Sequence, residues 1–148
     1  MATIVKDILT IDSGTIIHPV PCGSKISGGF SHQLTQKFPQ VQSEHCETTQ
    51  KNLPMNLLGK FSVVPVSDSI NVVNLYCLMP SGQQNKFEYL AFQQGIEKMF
   101  NSLSNTQFYF PYKLGCGIHG GNWKEIEKCI KSISLKYVIC IMPTKKPE

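Results

Sequence analysis

The sequence predicts an α/β fold, and three observations carry that expectation. Short runs rich in Val, Ile and aromatic residues alternate with stretches whose apolar residues recur at helical spacing. The C-terminal half runs helix, strand, helix, strand, an order that packs helices on the faces of a sheet. Two glycine-rich stretches, 22–29 and 115–121, each fall between a strand and the next helix.

The elements follow in order. "TIIHPV" (15–20) reads as a buried strand and runs into the Gly/Ser-rich "CGSKISGG". Phe30, Leu34 and Phe38 then recur at helical spacing, and Pro39 stops that helix. Residues 40–58 read as polar and irregular, with at most a short helix near Cys46. "KFSVVPV" (60–66) and "INVVNLYCLM" (70–79) are strands, and "VSDS" between them is a hairpin turn.

From Lys86 to Leu103 a broad apolar face of Phe87, Leu90, Ala91, Ile96, Met99, Phe100 and Leu103 predicts the longest helix. "QFYFPYKL" (107–114) is the next strand. Trp123, Ile126, Ile130 and Ile133 then form a helical stripe, with Asn122 as its cap and Glu125 completing a capping-box pattern. "KYVICIM" (136–142) closes the chain as an apolar strand.

Composition narrows the function classes. The chain of 148 residues, 41% apolar and 16% charged, has the makeup of one soluble domain. No apolar run approaches the ~20 residues of a membrane helix, and "MATIVKDILT" lacks a secretory pattern, so a cytoplasmic protein without membrane association is expected. The net charge of +4 comes from dispersed lysines with no arginine. That argues against a nucleic-acid surface, where arginine is the usual base reader, but still favours a small anion. Lysine as the sole strong cation, with abundant Asn and Ile, points to an AT-rich genome such as a bacterium or phage. Six cysteines show no paired spacing of a metal site or redox motif, and no metal or other cofactor is expected. Cys77 and Cys140 lie in apolar strands and read as small buried residues.

The chemistry concentrates in the glycine-rich loops. In open α/β sheets ligands sit beyond the carboxyl ends of strands, where loops lead into helices. Glycine lets a ligand approach the backbone, and a helix N-terminus offers free N–H groups and a favourable dipole to an anion. Two such loops facing each other suit a diphosphate. Taken singly, each is equally a tight strand-to-helix turn, and neither carries a Walker or Rossmann signature.

The segments "KDIL", "IIHPVPCGSKISGGFSHQLTQKFPQV" and "FPYKLGCGIHGGNW", in that order, resemble a macro domain. The closer likeness is to small proteins related to ADP-ribose-1''-phosphate phosphatases and terminal ADP-ribose–protein glycohydrolases. It spans Lys6 to Met142, with residues 4–142 as the core of a single domain and 143–148 as a tail. The resemblance implies a three-layer α/β/α fold with a mixed central sheet and a cleft for ADP-ribose or a related NAD-derived nucleotide. It assigns Asp7, with Ile8 beside it, to the adenine. Ser27, Gly28, Gly29 and Phe30 match the first phosphate and distal-ribose loop. Gly115, Cys116, Gly117, Ile118 and His119 match the second, diphosphate-cradling loop.

The polar catalytic positions of such proteins are not kept. Pro21 stands where many have Asn, Pro80 and Ser81 stand near the place of a catalytic Lys, and Lys86 lies too far along. His119 follows Gly-Cys-Gly-Ile where an Asp is usual, and Asn122 precedes the Trp where an acid can stand instead. His119 is therefore open to three readings: a general base, a hydrogen-bond donor to phosphate or ribose, or an exposed loop residue. A reactive Cys116 beside a helix N-terminus would have a lowered thiol pKa, but no base accompanies it. Two functions follow: a binder that sequesters an ADP-ribose-type signal, or a hydrolase of ADP-ribose-1''-phosphate or mono-ADP-ribosylated protein using His119. Oligomeric state is not legible.

Overall fold

The computed structural model describes residues 2–103, 106–117, 119–133 and 137–143. Among these described residues seven strands form one mixed sheet: β1 (Ala2–Val5), β2 (Gly14–Pro21), β3 (Phe61–Pro65), β4 (Ile70–Ser81), β5 (Gln84–Phe87), β6 (Phe108–Pro111) and β7 (Tyr137–Ile141). Their order is β1-β7-β6-β2-β4-β3, with β5 pairing on β4. β1, β7, β6, β2 and β4 pair in parallel, whereas β3 and β5 run antiparallel to β4. The helices are α1 (Gly29–Lys37), α2 (Pro39–Lys51), α3 (Pro54–Leu57), α4 (Tyr89–Ser102) and α5 (Trp123–Ile133), with a 3-10 turn over Ile8–Thr10.

Strand alternation sends neighbouring residues to opposite layers. Ile17, Val73, Leu75 and Cys77 pack with Phe92, Ile96 and Met99 of α4 and Ile126 and Ile130 of α5. Ile16, Val20, Val72 and Tyr76 pack with Leu34 of α1 and Val41 of α2 on the other face. The three-layer expectation holds. Each large apolar side chain fully buried this way contributes roughly 1.5–3 kcal/mol. No helix among the described residues is long and apolar enough to cross a membrane.

Three sequence expectations need correction. Residues 39–51 form a full helix rather than an irregular stretch, because Pro39 ends α1 and also occupies the first turn of α2. Its buried positions are Val41 and His45, so a histidine stands where an apolar partner would have shown the periodicity. The long helix begins at Tyr89, not Lys86, and residues 84–87 are a strand hydrogen-bonded to the end of β4. Phe87 is buried from that strand, and Leu90 faces outward at 67% exposure. Finally, Ala2–Val5, given no element above, form the edge strand β1.

The connection after β2 leads through α1 and α2 toward β3 at one edge. The connection after β6 leads through α5 to β7 on the other side. Since β2 and β6 are neighbours, their chains part in opposite directions and open a crevice beyond their carboxyl ends.

Candidate functional site

That crevice is a cleft of about 420 Å³. One wall comes from the loop after β2, with Lys25, Ser27, Gly28, Gly29, Phe30 and Ser31. The other comes from the segment after β6, with Tyr112, Lys113, Gly115, Gly117 and His119. Both glycine loops therefore face one space. A neighbouring pocket of about 250 Å³ shares Gly29, Phe30, Pro111 and Tyr112 with the cleft and extends to Lys6, Ile8 and Gln33.

The two walls differ in what they offer. Gly28 precedes α1 at φ 80°, followed by Gly29 at φ 51°, left-handed values that glycine adopts without strain. No side chain caps α1, and its first internal bond runs from His32 N–H to Gly28 carbonyl at 3.1 Å. The amides of Gly29, Phe30 and Ser31 thus stand at an uncapped helix N-terminus that lines the cleft, an arrangement suited to an anion.

The α5 N-terminus is different. Asn122 Oδ1 accepts from the amides of Lys124 at 3.0 Å and Glu125 at 3.4 Å. The Asn122 N–H goes to the Tyr89 hydroxyl at 2.8 Å, so Glu125 does not complete the capping box. The amides of Lys124 and Glu125 are used within the fold, and the second loop faces the cleft with glycine backbone, Lys113 and His119 instead.

The individual site residues divide accordingly. Ser27, Gly28, Gly29, Phe30, Gly115, Gly117 and His119 come together in the cleft, and Ile8 lines the adjoining pocket. Asp7 lines neither. Its Oδ1 caps the 3-10 turn by accepting from Leu9 N–H at 2.9 Å. Cys116 is turned away, its thiol 3.5 Å from the Leu114 carbonyl, and burial pushes that thiol's pKa up despite Lys113 nearby. α5 begins only at Trp123, so Cys116 does not stand beside a helix N-terminus. Ile118 lies outside the described residues.

Several lining residues escaped the sequence. Lys25 and Lys113 supply positive charge from opposite walls. Asn85 of β5 also lines the cleft and joins the two loops. Its Nδ2 donates to Ser24 Oγ at 3.2 Å, and its carbonyl accepts from His119 Nδ1 at 3.1 Å. Pro21 also lines the cleft. No Asp or Glu appears among the described residues lining the cleft.

Behind the first loop sit two buried histidines, His18 and His45. His45 donates from Nε2 to the Ser24 carbonyl at 2.6 Å and accepts at Nδ1 from the Tyr76 hydroxyl, 3.2 Å away. Burial lowers its pKa, partly opposed by the Ser24 bond and by Glu44. His18 on β2 bonds Ser31 and Asn74. Burial lowers its pKa to about 4, against the Asn74 bond and with help from His45.

This chain folds as a macrodomain. It superimposes on the macrodomain of Mycobacterium tuberculosis DarG with a TM-score of 0.75 at 17% identity, covering 97% of this chain and 99% of that one. Thermosipho africanus DarTG, whose structure was determined in complex with ADP-ribose, matches with a TM-score of 0.66 at 15% identity over 92% of this chain and 40% of that one. In sequence the chain is 28% identical over 142 residues to an uncharacterized 17.5 kDa protein from the tk-vs intergenic region of Enterobacteria phage T4, covering 90% of this chain and 88% of that protein. No family model matches it.

Proposed function

We propose that this protein binds ADP-ribose or a closely related NAD-derived nucleotide, holding it with little or no turnover. The observation that carries this reading is the pairing of two glycine loops across one cleft, with an uncapped helix N-terminus on one side and Lys25 and Lys113 facing in. A diphosphate needs donors and positive charge on both sides of a narrow space, and the cleft supplies them. The adjoining pocket at Ile8 has room for a base, with the unused oxygen of Asp7 nearby in the chain as acceptor for an exocyclic amine. The ADP-ribose held by DarTG, a protein of the same fold, supports the choice of nucleotide.

The absence of any carboxylate among the described lining residues favours holding over hydrolysis, since activating water at neutral pH needs a positioned base. A hydrolase of ADP-ribose-1''-phosphate or mono-ADP-ribosylated protein stays in view for one reason. His119 has its Nδ1 proton committed to the Asn85 carbonyl, which leaves Nε2 as the nitrogen free to accept a proton.

Calorimetry with ADP-ribose and ADP-ribose-1''-phosphate, followed by recovery of the ligand, tests both readings. Saturable binding of one nucleotide per chain with the ligand recovered intact is expected. No heat with either ligand overturns the proposal. Binding followed by cleavage that is lost in His119→Ala moves the protein to the hydrolase reading.

A further inference from the structure

A file of hydrogen bonds runs inward from Ser31. Its hydroxyl meets His18 Nδ1 at 2.9 Å, and His18 Nε2 meets Asn74 Oδ1 at 2.6 Å. His18 and Asn74 are wholly buried, while Ser31 lines the cleft. The proton directions follow from the far end. Asn74 Nδ2 donates to the Val41 carbonyl at 3.3 Å and to the Glu44 carboxylate at 3.4 Å. Turning the amide over would set its oxygen against both acceptors. Asn74 therefore presents Oδ1 to His18, and Nε2 carries the ring proton. Burial, with His45 close by, keeps the ring neutral, so Nδ1 has only a lone pair. Ser31 must supply the proton between them, and it turns only lone pairs toward the cleft.

The order Ser, His, Asn is that of a nucleophile, a base and the residue that orients the base. Desolvation weighs against that use here. A ring whose pKa burial has pushed down to about 4 is a weak base for a serine hydroxyl at neutral pH. The array holds Ser31 rather than activating it.

We propose that Ser31 is a specificity-determining residue, fixed as an acceptor that selects a free ribose hydroxyl over one carrying phosphate. The inference rests on the ADP-ribose reading above. Gly29 and Phe30 line both pockets, whereas Ser31 lines only the larger one. A nucleotide with its base near Ile8 and its diphosphate at α1 brings its second ribose to Ser31. A free hydroxyl there donates to Ser31 Oγ. A phosphate there sets its anionic oxygens against the Ser31 lone pairs, and the buried partners hold the hydroxyl from turning to donate.

The test compares ADP-ribose with ADP-ribose-1''-phosphate by calorimetry in the wild type, Ser31→Ala and Asn74→Asp, alongside nitrogen NMR of the histidine rings in the wild type. The wild type should prefer ADP-ribose, and Ser31→Ala should shrink that preference by roughly 2- to 10-fold, chiefly by weakening ADP-ribose. In Asn74→Asp the carboxylate favours a protonated His18, whose Nδ1 then donates to Ser31 and frees its hydroxyl to donate outward. The preference should shift toward the phosphorylated ligand. If that variant does not fold, the wild-type spectra decide: a neutral His18 with its proton on Nε2 supports the inference, and a proton on Nδ1 overturns it. Equal losses for both ligands in Ser31→Ala also overturn it while leaving nucleotide binding intact. No binding of either nucleotide by the wild type overturns the inference together with the function it rests on.

Discussion

His119 donates from Nδ1 to the Asn85 carbonyl at 3.1 Å, and β5 returns a bond from Phe87 N–H to the His119 carbonyl, also 3.1 Å. The side chain and main chain of one loop residue thus clasp a single short strand. This pins the ring over the cleft with Nε2 free. His119→Ala should lower affinity for ADP-ribose by roughly 10-fold through loss of one polar contact. The main-chain bond survives, so thermal stability should change little. Calorimetry and a melting curve on the same sample separate the two, and undiminished affinity would remove His119 from the site.

The glycines of the second loop make a sharper test because they have different duties. A Cβ at Gly117 would meet nothing within 4 Å, and Gly117 lines the cleft without a positive φ. A Cβ at Gly115 would stand 2.5 Å from Phe87 Cδ2, on a backbone at φ 71°. Gly117→Val should fold like the wild type and lose nucleotide binding, because the valine fills ligand space alone. Gly115→Ala should instead destabilise the fold by about 1–3 kcal/mol through overpacking and backbone strain. A Gly117→Val protein that still binds ADP-ribose would show that this loop is not the cradle.

What could be read from the sequence, and what could not, follows from how each feature is encoded. The glycine loops were legible because strand, turn and helix signals adjoin one another along the chain, as in "FPYKLGCGIHGGNW". The stripes of α4 and α5 were legible because their buried residues are apolar at helical spacing. In β5 only Phe87 is buried, so Gln84, Asn85 and Lys86 carried no alternation to read. Asn85 was therefore missed along with its strand. Lys25 and Lys113 look like any other surface lysine until the sheet brings their loops together. The His18–Asn74 pair joins residues 56 positions apart through the parallel register of β2 on β4, which no local pattern encodes.

Lys113 is the one described non-glycine residue with a positive φ, at 59°. A left-handed backbone costs a side-chain-bearing residue about 1–2 kcal/mol, part of which glycine's greater freedom in the unfolded chain would cancel. Lys113→Gly should therefore raise stability by roughly 0.5–1 kcal/mol while weakening binding of the diphosphate. Opposite signs for stability and affinity are the signature of strain kept at a functional position. Denaturant melts paired with calorimetry provide the comparison, and a variant with unchanged affinity would count against a role for the Lys113 charge.

His18 gives the fold a pH dependence whose sign can be worked out. Its pKa is lowered by burial, from 6.5 to about 4, so the folded state prefers the neutral ring. Between those values the unfolded chain binds the proton and the native state does not, and falling pH therefore favours unfolding. The contribution is fully present above pH 6.5 and is lost progressively down to about pH 4. At about 1.4 kcal/mol per tenfold change it amounts to roughly 3 kcal/mol over that window. His45, also lowered by burial, acts in the same direction. The charged or titratable groups around them are Glu44 and Tyr76, and the Tyr76 hydroxyl is held un-ionised by burial well above neutral pH. Urea unfolding at pH 7 and pH 5 should show the loss, and NMR titration should show the His18 ring still neutral at pH 5. A His18 ring that titrates near 6.5 would mean that the Ser31–His18–Asn74 file is open to water, and the stability difference would vanish with it.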